Sequence, residues 1–446
     1  MSFFARSVAA VCVAIVACGG AYAAEEPGVA LVTLKNGLQV VVIPDRRAPV
    51  VTHMVWYRVG GMDDPEGLSG LAHFFEHLMF KGTKKTAPGE LSKIVARNGG
   101  GDNAFTTHDY TAYFQRIAKD RLGLVMGLEA DRMANLDLSE DNVRTERDVV
   151  LEERRYRVDG DPTSLLVEQM QAALHLSHPY GRPVIGWAEE VGGIERAEAI
   201  DFYGHHYAPN NAILIVAGDV EPDEVLALAK KNYGGVRARE LAGRVKAAEP
   251  PRIAETRIAM ARADAKLPTF LRLYRVPSYV GAAPGEAEAL EVLSQVLGGG
   301  PTSRLYRALV EDKKIASSAG AWYDGMARDA AVFGIYAYPR DGVSFAAIEK
   351  AVDEVLQWAA TEAPGGKEFD RVKTVLVASA VYSRDSQSTM ARVYGEALSI
   401  GMTVDDVRQW PDRIRAVAAP DVRDAVAKHL RRTEAVTGTL SPKAQP

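Results

Sequence analysis

The residues with the clearest capacity for chemistry are His73, Glu76 and His77, in the stretch HFFEHLMF at residues 73–80. Two histidines four residues apart lie one turn apart on a helix, so both imidazoles can reach a single ion. Glu76 adjoins His77 and follows His73 by three residues, which sets its carboxylate near the same face, placed to hold a water on the metal. Zinc lowers the pKa of such a water to about 7, and a neighbouring carboxylate accepts its proton during attack. Two partly buried histidines on an amphipathic helix would show the same spacing. A third ligand decides between these readings, because a catalytic zinc site takes three protein ligands and keeps one position open.

Candidates for that ligand are Glu146, Asp148, Glu152 and Glu153, in NVRTERDVVLEERRYR at residues 142–157. Glu146, Val150 and Glu153 share one helical stripe, since seven residues are nearly two turns. Glu152 points elsewhere, beside Arg144, Arg154 and Arg155. An exposed helix with i,i+4 ion pairs accounts for the charges, but not for two acids on a stripe with valine.

The elements that must position these groups are legible in outline. LVTLKNGLQVVVI carries an Asn36-Gly37 hairpin signal between alternating apolar runs, and residues 50–61 read as a strand leading to the histidine helix. ELSKIVARN is a short amphipathic helix, and GGGDNAFTTHDYTAYFQRI a glycine-rich entry into one strand. Residues 119–136 and 139–158 are helical by period, residues 210–220 form a buried strand, and EPDEVLALAKKNYGG is a helix with a glycine stop. The polar stretch 237–252, ending in Pro250-Pro251, reads as an interdomain linker. After it come a strand (TFLRLYRVPS), the helices EAEALEVLSQVLGGG and SRLYRALVEDKK, the strand-rich AGAWYDGMARDAAVFGIYAYP, and a further pair of helices. Strands followed by helices in each half predict an α+β fold of two tandem homologous domains, each a mostly antiparallel sheet packed with helices. The expected division is a signal peptide at 1–23, a catalytic domain at 24–238, a linker at 239–252, and a second domain of the same fold without a metal motif at 253–446.

A basic start, the apolar run SVAAVCVAIVA and the Ala21-Tyr22-Ala23 small-x-small pattern form the expected leader, giving a periplasmic or secreted protein. Both cysteines, Cys12 and Cys18, lie within it, so cleavage after Ala23 leaves no thiol for disulfides or catalysis. Ile15-Val16-Ala17-Cys18 also matches a lipobox, which would anchor the chain through Cys18. No later stretch is long and apolar enough for a transmembrane helix. The formal charge of −5, with both signs interspersed, gives no argument for binding nucleic acid or an anionic membrane.

His73-Phe-Phe-Glu76-His77, followed after 75 intervening residues by Glu153 in ERDVVLEE, resembles the pitrilysin/insulinase-type zinc metallopeptidases, the inverted zincins. The likeness to their bacterial, processing-peptidase-like branch extends through KNGLQVVV, GLAHFFEHLMFKGT, NAFTTHDYTAYF, HPYGRPVIG and FYGHHYAPNNAILIVAGDV, and more loosely through GGGPTSRLYRALVE. It implies one Zn²⁺ per chain on His73, His77 and Glu153, with Glu76 as general base and Glu146 orienting the site. It further implies that an extended peptide substrate pairs with the strand headed by Asn103, Ala104 and Phe105. Simple turn chemistry after the glycines would explain Asn103 equally well. His108 sits in the same segment, while His178, His205 and His206 resemble structural positions of the family.

One departure stands out. Family members acting alone or as homodimers carry an Arg and a Tyr in a second-half stretch resembling LREKxGLAY, where they stabilise the oxyanion. Here the stretch reads LVEDKKIASS, with Val310 and Ser317 at those positions, and Arg304 and Tyr306 upstream on a generally shared segment. The resemblance therefore implies the zinc-bearing half of a clam shell, a heterodimer whose homologous partner lacks the zinc motif and supplies the Arg/Tyr pair. The expected activity is that of an exported zinc endopeptidase or oligopeptidase on unstructured peptides. The alternative is a non-catalytic assembly or core subunit, and such subunits usually lose some of the five ligand and acid positions, all present here.

Overall fold

A computed structural model describes residues 28–241, 243–244 and 247–442. The expected leader at 1–23, with both cysteines, lies outside the described residues. In the first half, β1 (Ala30–Thr33), β2 (Gln39–Pro44) and β3 (Val50–Tyr57) lead to α1 (Leu71–Leu78) and α2 (Glu90–Arg97). Then come β4 (Gly101–Thr106), β5 (Thr111–Ala118), α3 (Leu122–Asn135) and α4 (Glu140–Arg154). Helices α5 (Pro162–Leu174), α6 (Ala188–Gly193) and α7 (Arg196–His206) precede β6 (Ala212–Gly218) and α8 (Pro222–Tyr233).

The second half begins with β7 (Thr256–Arg262), β8 (Thr269–Pro277), α9 (Glu286–Gly298) and α10 (Arg304–Tyr306). It continues with β9 (Ala316–Asp324), β10 (Ala330–Pro339), α11 (Phe345–Thr361), α12 (Gly366–Ser383) and α13 (Gln387–Ile400). Helices α14 (Val404–Ala416) and α15 (Ala419–His429) and strand β11 (Ala435–Pro442) complete it.

The two sheets share one topology. The first runs β1-β2-β6-β3-β5-β4 and the second β7-β11-β8-β10-β9, so that, β1 apart, strand follows strand in the same order. Each contains a single parallel pair, β2 with β6 and β11 with β7, among antiparallel neighbours. The fold is thus α+β with two tandem domains, as the strand-then-helix grammar of each half predicts.

The halves are interlocked by exchange. Alternation along β2 and β3 sends Val40, Val42, Val51 and Val55 into the first domain's own core and Val41, Ile43, Met54 and Trp56 to the opposite face. That face is covered by Tyr394 and Leu398 of α13, a second-domain helix. Reciprocally, Leu166, Met170 and Leu174 of first-domain α5 cover Leu271, Leu273, Val436 and Leu440 of the second sheet. Close approach requires glycine at both crossings. A Cβ on Gly395 would lie 2.0 Å from Trp56, and one on Gly438 2.2 Å from the Met170 sulfur.

Several local expectations need correction. The segment after Gly99 is a hairpin, β4 and β5, not one strand: the Thr107 Oγ1 accepts the N–H groups of Asp109 and Tyr110 at 3.2 Å and closes the turn. The 139–158 helix is α-helical only to Arg154 and then widens into a π-helical turn, Arg155–Asp159. SRLYRALVEDKK likewise keeps three α-helical residues before a π-helical turn, Arg307–Asp312. The expected pair of final helices is five, α11 to α15, with a closing strand. Residues 234–255 hold no helix or strand among those described, yet they are pinned. Glu249 accepts the N–H groups of Leu176, Ser177 and His178, and Arg244 pairs with Asp63.

Candidate metal centre

Helix α1 starts at Gly70, whose φ of +90° suits glycine, and a Cβ there would lie 2.7 Å from the Ile185 carbonyl oxygen. The first turn's N–H groups are satisfied by buried Asp64, whose carboxylate accepts from Gly70 at 2.7 Å and Ala72 at 2.8 Å. Leu71, Ala72, Phe74, Phe75 and Leu78 of α1 are all buried in the first core, so the helix cannot rotate its histidines away. Helix α4 packs against α1 through Val150, which is fully buried, and carries Glu146 and Glu153 on the same stripe.

The structure brings His73, His77 and Glu153 together, with one potential donor atom from each lying within 4.8 Å of the others. The Glu153 Oε2 is 3.3 Å from His77 Nε2 and 3.7 Å from His73 Nε2. Ligand atoms held about 2.0–2.2 Å from a tetrahedral ion are separated by about 3.4 Å, so this spacing fits zinc. Among the described residues the same Oε2 is buried and, beyond these two imidazole approaches, makes no hydrogen bond, an arrangement that a cation between the three groups would satisfy. Two imidazoles and a carboxylate are also the donor types that zinc prefers.

Around this triad the neighbours are specific. Glu146 Oε1 lies 2.9 Å from His77 Nδ1, leaving His77 Nε2 facing Glu153, and the other Glu146 oxygen pairs with Lys81. Arg157, on the π-helical turn after α4, donates to Glu153 Oε1 at 2.6 Å. Glu76 does not face Glu146; its Oε2 accepts a 2.6 Å hydrogen bond from Thr106 at the end of β4. Sequence reasoning passed over Asp64, Lys81, Thr106 and Arg157. Only the helix-capping chemistry of Asp64 carries a local signal, an acid shortly before a helix start.

Electrostatics separate the groups. Burial, reinforced by neighbouring His77, pushes His73 down to about 4. Burial acts the same way on His77, but its contacts with Glu146 and Glu153 prevail and raise it to about 9. The His77 imidazole, against the cost of burial, draws Glu153 down to about 2. Burial raises Glu76 above the ordinary carboxyl range, opposed by the Thr106 hydroxyl. A carboxyl poised upward beside a set of neutralisable ligands suits a proton acceptor.

Among the described residues, strand β4 is the sheet edge next to α1 and pairs only with β5. Along it Ala104 packs against the first core and Thr106 reaches Glu76, on the metal side. Asn103 is exposed, its Oδ1 accepting the Ala104 N–H. Phe105 faces the opposite way, edge-on to Trp56 at 5.3 Å and under the Arg392 guanidinium at 4.6 Å, so its ring packs the domain seam. His108 belongs to the hairpin turn, 3.0 Å from the Arg182 carbonyl, and His178 meets Asp329 across the seam at 3.1 Å. His205 and His206 close α7. None of the four joins the triad.

Comparison with known proteins agrees with this geometry. Residues 39–187 match the family model described as insulinase (peptidase family M16), and residues 193–376 that of the peptidase M16 inactive domain. The zinc protease PqqE of Helicobacter pylori is 32% identical over 417 residues, covering 92% of each chain. The chain belongs to peptidase family M16. Its fold superposes on a Helicobacter pylori protease with a TM-score of 0.87 at 30% identity, covering 93% of this chain and 100% of that one. The periplasmic protease PqqL of Escherichia coli has the same fold, with a TM-score of 0.79 at 19% identity; this M16 chain spans 48% of its length.

Within the M16 chain, the second-half positions where the family resemblance implies an Arg and a Tyr are occupied structurally. Val310 is buried in the second core, and Ser317 on β9 donates to the Tyr338 carbonyl at 3.3 Å. Arg304 holds Glu368 and lies 3.2 Å above the centre of the Trp358 ring, while Tyr306 packs on the second core. Both upstream residues are thus engaged within their own domain.

Proposed function

We propose that this M16 chain is an exported zinc-dependent endopeptidase or oligopeptidase that hydrolyses extended, unstructured peptides. The observation that carries the proposal is the buried Glu153 Oε2, which faces both imidazoles and has no other polar partner among the described residues, with Glu76 beside them and hydrogen-bonded to the edge strand. His73, His77 and Glu153 would hold one zinc ion, which supplies Lewis acidity for acidifying water and polarising a peptide carbonyl. Glu146 fixes the His77 ring through Nδ1, and Lys81 and Arg157 fix the two glutamates. The free edge of β4 offers backbone groups for a substrate strand, and Asn103 and Ala104 stand at its head. Phe105 contributes backbone there, since its ring is committed to the seam. Glu76 takes the proton of the attacking water and passes it to the departing amine.

The oxyanion-stabilising Arg and Tyr come from a homologous partner lacking the zinc motif, in a clam-shell heterodimer. Residues 1–23 act as the export signal, which favours a periplasmic or secreted location. Purified chain, alone and with a candidate partner, is assayed for bound zinc and for cleavage of a quenched peptide, with Glu76→Gln as control. The expected outcome is zinc in both forms, strong cleavage only with the partner, and zinc retained without cleavage in Glu76→Gln. Wild type without zinc would overturn the site, and full activity of the single chain would overturn the partner. Amino-terminal sequencing of exported protein should begin at Ala24; a lipid-modified Cys18 would replace the soluble reading.

A further inference from the structure

A cavity of about 1110 Å³, lined by none of the metal triad, lies between the end of β2 and helices α12, α13 and α14. Its walls are largely apolar, with Ile43, Leu376, Met390 and Met402 among them, and methionine walls adapt to ligands of varied shape. Among the carboxyl side chains lining it are Glu291 of α9 and Glu396 of α13, together with the rings of Tyr279 and Trp410.

Glu291 is the uncompensated group. The Trp410 indole N–H donates to the Tyr279 oxygen at 2.8 Å, and the Tyr279 hydroxyl reaches Glu291 only at 3.5 Å. Burial, against the Tyr279 hydroxyl, lifts the Glu291 carboxyl to about 7, and the charges acting on it, those of Asp324 and Glu288, are both acidic. Glu396 has one hydrogen bond, from Tyr110 at 2.9 Å. At the mouth, by contrast, Arg46 pairs with Glu221, Arg47 with Asp45 and Asp385, and Arg408 with Asp405 and the Val29 carbonyl, and the fourth arginine there, Arg384, is engaged as well. The cavity is therefore acidic inside and already neutralised at its rim. The duplicated fold gives Glu291 a further meaning. Helix α9 starts at Gly285 with φ +82° as α1 starts at Gly70 with φ +90°, and six residues beyond each glycine stand Glu291 and Glu76.

We propose that this cavity binds a small amphiphilic ammonium compound, its N–H groups on Glu291 between the Tyr279 and Trp410 rings and its apolar body against the methionine and leucine walls. A carboxylate with aromatic faces beside it is the chemistry that selects an ammonium over a neutral or anionic head of equal length. The site is independent of zinc and of the peptidase reading.

Calorimetric titration of the full chain with n-octylamine, 1-octanol and octanoate tests it. Octylamine should bind at least about tenfold tighter than the other two, a gap of about 1.4 kcal/mol. Glu291→Gln should abolish that preference, with circular dichroism reporting the fold. Ser379→Trp, at an exposed lining position of α12, should fill the cavity and weaken octylamine binding by at least tenfold while bound zinc stays unchanged. Equal affinity for the three compounds, no octylamine binding, or binding that survives either substitution would overturn the proposal.

Discussion

Replacing Glu146 separates a ligand-orienting role from a merely structural one. Its Oε1 lies 2.9 Å from His77 Nδ1, on a side chain only 9% exposed, and its other oxygen pairs with Lys81. A hydrogen bond to a charged, buried partner is worth about 1.5–3 kcal/mol. If that energy is spent on holding the His77 ring with Nε2 toward the triad, Glu146→Ala should weaken zinc binding by about 10- to 100-fold, the range found for partners that orient metal-binding histidines. Lys81, 25% exposed, can turn its ammonium to water, so its loss of a partner adds little. Glu146→Gln keeps an acceptor for Nδ1 without the charge and should fall between the two. Glu153→Ala removes a donor atom outright and should cost more than either. The assay is competition for zinc against a chromogenic chelator, which needs neither catalysis nor a partner chain. Wild-type affinity in Glu146→Ala, with Glu153→Ala impaired, would refute the orienting role and leave Glu146 as a partner of Lys81 alone.

Three further outcomes follow from the packing. Gly395→Ala sets a Cβ against Trp56, itself 1% exposed, and should destabilise by about 1–3 kcal/mol, read as a lower thermal midpoint; an unchanged midpoint would show that the α13 crossing yields. Asp64→Ala strips two N–H groups at the α1 start of their acceptor and should cost about 1–2 kcal/mol while weakening zinc binding, measured together by melting and chelator competition. For Glu286, burial opposes ionisation, but Lys428, the Ala283 N–H and His429 hold it down to about 2. Being depressed, it contributes stability that is present above the unfolded carboxyl range near about 4.3 and is lost as pH falls toward 2. Melting midpoints across that window should fall less steeply in Glu286→Gln than in wild type.

The parts of this molecule that sequence reasoning reached are those whose signal is local. His73, His77, Glu146 and Glu153 share faces of helices whose periodicity is clear, so their meeting could be anticipated without knowing how α1 and α4 pack. The β4–β5 hairpin was hidden because β-branched and aromatic residues run on both sides of its turn, and Thr107 closes that turn with its side chain in place of a glycine or proline. Thr106 reaches Glu76 across 30 positions, a contact that no spacing rule announces. Nor does anything within α5 or α13 say that the sheet each covers belongs to the other domain. An apolar stripe states that a face is buried, not against what.

The duplication also explains why the second domain cannot take over the chemistry of the first. Sheet order is the same in both, and both central helices start at a left-handed glycine, so corresponding positions can be counted directly. Where the first domain has His73, the second has Glu288, buried and bonded to Arg413 at 2.6 Å. Where the first has His77, the second has Val292, fully buried in its core. These two positions offer one ion-paired acid and one aliphatic side chain in place of two imidazoles, which is not a ligand set. In the same domain, the positions where the family resemblance implies an Arg and a Tyr hold Val310, in the core, and Ser317, on β9. Its remaining basic candidate, Arg304, is held by Glu368 and Trp358. The second domain thus supports the first by packing, through α13 behind Trp56 and Phe105.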